Sequence, residues 1–190
     1  MALWVDASRV VEVFTEASYL NVGFVWEALD AAFPVNTVDS WGKTLLHYAV
    51  RSSVMRPLVQ RLLASGGDPN LQDDRGQTPV HLACREGDLG VVRALVAAGG
   101  LLNAEDERGN TAVFYAVRGC NNETTECLEW LAARPEVDWC HVNCYGNSVL
   151  EYAGVTGHLA VVSGAVARQR RWSPLRAAFV GAAAAGEREV

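Results

Sequence analysis

Apolar residues along this chain fall into short runs at helical spacing, and the runs recur. Leu58, Val59, Leu62 and Leu63 form one set, and Val91, Val92, Leu95 and Val96 the next. The series continues as Cys127, Leu128 and Leu131, then Val161, Val162, Ala165 and Val166. Side chains at such spacing share one face of a helix. A turn and a second, shorter helix are predicted ahead of each run. One such pair of helices is too small to bury its own apolar stripe, so the units must stack.

The repeat is fixed by polar and small residues. Gly42, Gly76, Gly109 and Gly146 lie 34, 33 and 37 residues apart. Two positions after each comes a hydroxyl: Thr44, Thr78, Thr111 and Ser148. Seven after comes Ala49, Ala83, Ala116 or Ala153, and three before comes Asp39, Asp73, Asp106 or Asn143. Six before stand Asn36, Asn70 and Asn103, with Cys140 breaking the column.

Each column answers a local demand. A stretch such as Asp73-Asp74-Arg75-Gly76 is a tight turn, in which glycine supplies the positive φ that other residues resist. The hydroxyl is a helix N-cap, and Pro79 behind Thr78 takes the first helical position, where a missing N–H costs nothing. His47 and His81, three past their threonines, can reach back to the cap as the acid of a capping box does. The alanine lets two helices approach closely.

Residues 73–87, DDRGQTPVHLACREG, resemble the signature of the ankyrin repeat family, G-x-T-P-L-H-x-A-x-x-G, and the following VVRALVAAGG and LLNAED resemble its outer helix and return turn. The likeness is strong over 72–106, good over 36–71 and worn over 107–143 and 144–166, where Phe114 and Glu151 replace the histidine. Phe24, Val25, Ala28 and Leu29 fall in the outer-helix frame, so a further, atypical capping unit is expected at the N-terminus. The resemblance implies an all-α ankyrin-repeat solenoid of about five stacked helix-turn-helix units with β-turn tips. The unit bounds are about 7–38, 39–72, 73–105, 106–142 and 143–166. Residues 167–190 are expected to form a basic segment (Arg168, Arg170 and Arg171) and an alanine-rich helix from Ser173-Pro174 to about Ala185, either capping the stack or binding a partner.

Composition narrows the function. The formal charge is −6, a field that argues against nucleic acid or an anionic membrane as partner. No apolar run approaches the ~18–20 residues that cross a bilayer, and the N-terminal MALWVDASRVVEVF has the wrong charge pattern for a secretory or transit segment. Five cysteines, Cys84, Cys120, Cys127, Cys140 and Cys144, show no secreted-framework spacing. A cytoplasmic, soluble protein with reduced thiols is the expectation.

The chain carries no G-x-S-x-G, no P-loop and no carboxylate pair distinct from the turn acids, so no catalytic residue and no cofactor are expected. Cys140, His141 and Cys144, with Cys120 and Cys127 upstream, are the one metal-like grouping, and a lone C-x3-C is weak support for zinc. No metal ligand is assigned.

The family resemblance implies binding instead, on a concave side formed by turn tips and exposed inner-helix residues. The tips are Ser40, Trp41 and Lys43; Asp74, Arg75 and Gln77; Glu107, Arg108 and Asn110; Tyr145 and Asn147. The inner helices add Arg51, Ser52, Arg85, Glu86 and Arg118. Trp41 and Tyr145 are unusual for a tip, and each is either a contact anchor or folded back on the stack. The loop Gly119–Glu126, three residues longer than in the preceding unit, is a specificity loop or a tolerated extension. The resemblance also implies that Asn70 and Asn103, each with a leucine eight residues upstream, are possible sites of asparaginyl hydroxylation. The expected function is a non-catalytic protein-interaction module (adaptor, inhibitor or assembly subunit) acting as a monomer or within a hetero-complex. The alternatives are a permanent structural subunit and a metal-dependent or catalytic protein built on the cysteine-rich fourth unit.

Overall fold

The structure, a computed structural model, describes residues 7–19, 21–119 and 125–169. Within them five helix pairs follow one another: α1 (Ala7–Ser18) with α2 (Val22–Asp30), α3 (Leu45–Ala49) with α4 (Arg56–Ala64), and α5 (Pro79–Glu86) with α6 (Leu89–Ala97). Then come α7 (Ala112–Gly119) with α8 (Glu126–Ala132), and α9 (Val149–Thr156) with α10, over residues 159–169. The first helices of successive pairs pack on one another (α1 on α3, α3 on α5, α5 on α7, α7 on α9), and so do the outer helices α4, α6 and α8. The result is an all-α solenoid of two layers. Among the described residues the only β pairing is the isolated bridge between Val142 and Ser148.

The recurring apolar sets form the seam. Leu58, Val59 and Leu62, Val91, Val92 and Leu95, Cys127, Leu128 and Leu131, and Val162, Ala165 and Val166 are all buried, while Leu63, Val96 and Val161 sit half-buried at its edge. The fifth outer helix runs through residue 169, past the expected unit boundary at 166. The expected C-terminal helix and most of the long fourth-unit loop lie outside the described residues.

Helix starts follow the capping chemistry. Thr78 N–H donates to His81 Nδ1 at 3.0 Å and Thr78 Oγ1 accepts from His81 N–H. Thr44 N–H donates in the same way to His47 Nδ1. With Nδ1 accepting, the other ring nitrogen carries the proton, and it donates to the next unit: His47 Nε2 to Gln77 O at 3.0 Å, His81 Nε2 to Ala104 O at 2.9 Å. Each histidine therefore caps its own helix and ties it to its neighbour. Where the histidine is lost the two jobs separate. Glu151 keeps the cap with Ser148, accepting from its N–H and hydroxyl, but reaches no further unit. Phe114 keeps neither, leaving buried Thr111 Oγ1 without a hydrogen-bond partner among the described residues. His141 fills the gap from the return turn, edge-on to Phe114 and donating to Gly109 O at 2.8 Å.

Helix ends depend on whether glycine follows. Gly87 and Gly157 close α5 and α9 in left-handed conformations, φ 73° and 82°. The equivalent residue in the second unit is Ser53, and there α3 stops after five residues and a 3-10 turn, Ser53–Met55, carries the chain into α4.

The asparagine column links the outer side. Asn70 Nδ2 donates to Gly99 O at 3.0 Å and its Oδ1 accepts from Leu101 N–H at 2.9 Å. Asn36 bridges to Gly66 O and Asp68 N–H, and Asn103 to Glu136 O and Asp138 N–H, in the same way. Asn70→Ala removes two bonds to backbone and is expected to lower stability by about 2 kcal/mol. Urea unfolding at constant m-value tests this, and an unchanged midpoint would show that the bridge adds nothing.

Candidate partner-binding surface

The four turn tips share one construction. The carboxylate or amide oxygen of Asp39, Asp73, Asp106 or Asn143 accepts the N–H groups two and four residues ahead, at 2.8–3.1 Å. The turn glycine donates back to the backbone carbonyl of that same residue. The two residues between are thereby turned outward. Successive tips are then joined by main-chain bonds: Asp74 N–H to Trp41 O at 3.0 Å, Glu107 N–H to Arg75 O at 3.1 Å, Cys144 N–H to Arg108 O at 2.9 Å. A row of tips linked this way holds its outward side chains in fixed register.

On that row Ser40, Trp41, Asp74, Arg75, Glu107, Arg108 and Tyr145 are exposed, and Lys43, Gln77 and Asn147 partly so. Trp41 and Tyr145 retain 62% and 67% of their surface, so neither is folded back onto the stack. Lys43 leans over the Tyr48 ring, its ammonium 5.8 Å from the centroid. Arg51, Glu86 and Arg118 are exposed at the ends of the inner helices, with Arg85 and Ser52 half-exposed. Arg85 pairs with Glu86 at 2.9 Å.

Asn110 departs from the sequence expectation. It is buried, its amide donates to both carboxylate oxygens of Asp106, and its Oδ1 accepts from Asn143 Nδ2 at 2.9 Å. With every polar atom engaged inside the stack it is a structural residue, not a contact residue.

Tyr48 and Tyr115, six positions after the turn glycine, were not expected to matter. Each hydroxyl donates to the turn acid of its own unit, Tyr48 to Asp39 at 2.6 Å and Tyr115 to Asp106 at 2.7 Å. Burial first, then these carboxylates, push both phenols well above their usual range. Burial alone would raise the Asp106 carboxyl, but donors from Tyr115, Asn110 and the turn backbone outweigh it and hold the carboxyl below its ordinary value. The only sequence signal was the tyrosine itself, at a position where the third unit has Leu82. Gln169 was also missed. From the end of α10 it accepts from Trp139 N–H and donates to Val137 O, anchoring the last outer helix to the fourth return turn.

The thiols of Cys84 and Cys127 are hydrogen-bonded to each other, but the described cysteines do not gather at one point. Cys84 and Cys127 are buried in the seam, Cys140 and Cys144 are exposed, and Cys120 lies outside the described residues. Among the described residues no three His, Cys, Asp or Glu side chains are grouped so as to hold a metal. Trp26 and Trp130 are half-buried and stacked by Arg61 and Arg134, at 4.6 and 4.0 Å, while Trp139 is buried. Asn70 and Asn103 have both ends of their amides hydrogen-bonded to the following turn, so an oxidising enzyme would need that turn opened to reach either side chain. No helix among the described residues is long and apolar enough to cross a membrane.

Known proteins share this pattern. The family description "Ankyrin repeats (3 copies)" matches residues 46–138. NF-kappa-B inhibitor alpha of Homo sapiens is 43% identical over 63 residues, covering 33% of this chain and 19% of that protein. The Gallus gallus protein of the same name is 39% identical over 85 residues, 44% of this chain and 26% of its own length. The Neurogenic locus Notch protein of Drosophila melanogaster is 42% identical over 55 residues, 29% of this chain and 2% of that protein. The match therefore spans about a quarter or less of each relative. Ankyrin repeats are protein-interaction modules, which fits a surface rich in outward side chains. With the repeating frame, the stacked helix pairs and these likenesses in agreement, residues 46–138 are ankyrin repeats within an all-α solenoid.

Proposed function

We propose that this chain is a non-catalytic interaction module, an adaptor, inhibitor or assembly subunit in the cytoplasm. It holds one protein partner on the face formed by its turn tips and inner-helix ends. The observation that carries this reading is the hydrogen-bonded row of tips, which fixes Trp41 and Tyr145 at opposite ends with their rings exposed. An exposed aromatic held rigidly gains contact area at small entropic cost, which is why such residues anchor interfaces. The likeness to proteins named NF-kappa-B inhibitor alpha favours an inhibitor or adaptor over an enzyme.

The test is affinity purification of the tagged chain beside a Trp41→Ala, Tyr145→Ala variant. Neither ring contributes to the core, so the variant is expected to melt as the unmodified chain does. It is expected to bind the dominant partner at least about tenfold more weakly, equivalent to two anchors of moderate size. Undiminished capture by the folded variant would move the interface to the convex side or to residues 120–124 and 170–190.

A further inference from the structure

One register of the inner helices carries the same charge three times. Nine positions after the turn glycines stand Arg51, Arg85 and Arg118, and the fourth equivalent is Val155. Arg85 and Arg118 are the penultimate residues of α5 and α7, and Arg51 lies two residues past the end of α3. Arg51 and Arg118 are exposed, and Arg85 keeps 40% of its side-chain surface. Val155 is 89% exposed, among the most exposed large apolar side chains of the described chain. The next register is Ser52, Glu86, Gly119 and Thr156, and its one acid, Glu86, pairs with Arg85. The helix ends are close together: a Cβ on Gly119 would lie 1.8 Å from Arg85 O, so glycine is what lets α7 press against α5 and sets Arg118 beside Arg85. Beside Arg51 a small cleft of about 140 Å³ opens between Ala17, Ser18, Tyr48 and Ser52.

A column of guanidinium groups on a chain of net charge −6 is a local reversal of field. A long polyanion such as nucleic acid would meet repulsion away from the column, where the tip arginines Arg75 and Arg108 are each preceded by an acid, Asp74 and Glu107. A short run of carboxylates would not. Packed helices lie about 8–10 Å apart, and an extended polyproline-type strand returns a side chain to the same face every third residue, about 9 Å along. Carboxylates at every third position therefore match the arginine spacing; Arg51 and Arg118 can each take one in a forked pair of hydrogen bonds, and Arg85 does so by exchanging its partner Glu86 for it.

We propose that the inner-helix ends bind an extended acidic segment of a partner protein, of the pattern acid-x-x-acid-x-x-acid-x-x-apolar. The carboxylates meet Arg51, Arg85 and Arg118, and the apolar residue meets Val155. This rests on the concave-face reading above and names the chemistry of its partner.

The probe is a fluorescein-labelled ten-residue peptide on a proline-serine background, with glutamate at its first, fourth and seventh positions and leucine at its tenth. Binding is read by fluorescence anisotropy. The unmodified chain, and a charge-matched control with Arg9, Arg93 and Arg134 changed to glutamine, are expected to bind it alike. The Arg51→Gln, Arg85→Gln, Arg118→Gln variant is expected to bind about tenfold more weakly or worse. On the unmodified chain the advantage over a glutamine-for-glutamate peptide should shrink as sodium chloride is raised, a readout independent of how any variant folds. Equal binding by the two triple variants overturns the proposal. So does tighter binding of a peptide with its three glutamates contiguous, or of a single-stranded DNA dodecamer. A natural partner lost by the Trp41, Tyr145 variant but kept by the arginine variant defeats this proposal alone. A partner kept by both defeats the concave-face reading beneath it.

Discussion

Replacing Gly76 by alanine is expected to destabilise the protein by about 2–5 kcal/mol, while the same change at Gly146 costs only about 1–2 kcal/mol. Both glycines have positive φ, 69° and 79°, where a Cβ is strained against its own carbonyl. That strain is the smaller effect and is common to both. At Gly76 an added Cβ would also lie 2.7 Å from Glu107 N and 3.0 Å from Asp106 C, the backbone of the next tip. At Gly146, upon which no further tip among the described residues stacks, none of those residues lies within 4 Å. The difference isolates what tip stacking demands. Urea denaturation of the two variants measures it. Equal losses at the two positions would mean that the row of tips relaxes freely, and the rigidity on which the proposed binding face depends would be lost with it.

These glycines show what a single sequence discloses. Every column that satisfies a demand within one unit was legible: glycine for a turn, hydroxyl for a cap, alanine for close helices, apolar pairs for the seam. What a side chain does to the next unit was not. That His81 also donates to Ala104 O, 23 residues on, leaves no trace in its own neighbourhood. Asn110 misled for the same reason. It occupies a tip position that is half-exposed in Lys43, Gln77 and Asn147, yet its amide is drawn inward by Asp106 and by Asn143, 33 residues away. The worn fourth unit was recognised from Phe114, but not that His141 would take over part of the histidine's inter-unit role from another turn. On the surface the exposure of Trp41 and Tyr145 had to come from the structure, since the sequence left two orientations open.

Stability is expected to fall as pH drops below 6.5, and His47 and His81 contribute to that fall. Both are buried, and burial depresses the pKa of each below the ordinary 6.5, although Gln77 O and Ala104 O as acceptors and the turn acids Asp73 and Asp106 pull the other way. Protonation would force a hydrogen onto Nδ1, which accepts from Thr44 N–H or Thr78 N–H, so a buried donor would face a donor. Above pH 6.5 both rings are neutral folded or unfolded, and stability does not depend on them. As pH falls below 6.5 the unfolded chain takes up two protons that the folded chain refuses. Stability then drops by up to about 1.4 kcal/mol per pH unit for each histidine, until the depressed folded value is reached. The two losses add, because both rings are shifted in the same direction. His81→Gln keeps an acceptor near the cap but cannot titrate, so its stability at neutral pH should be lower and its acid slope about half. Thermal unfolding of both proteins between pH 5 and 7.5 measures this. A slope that is unchanged in the variant would place the acid sensitivity in the carboxylates of the turns instead.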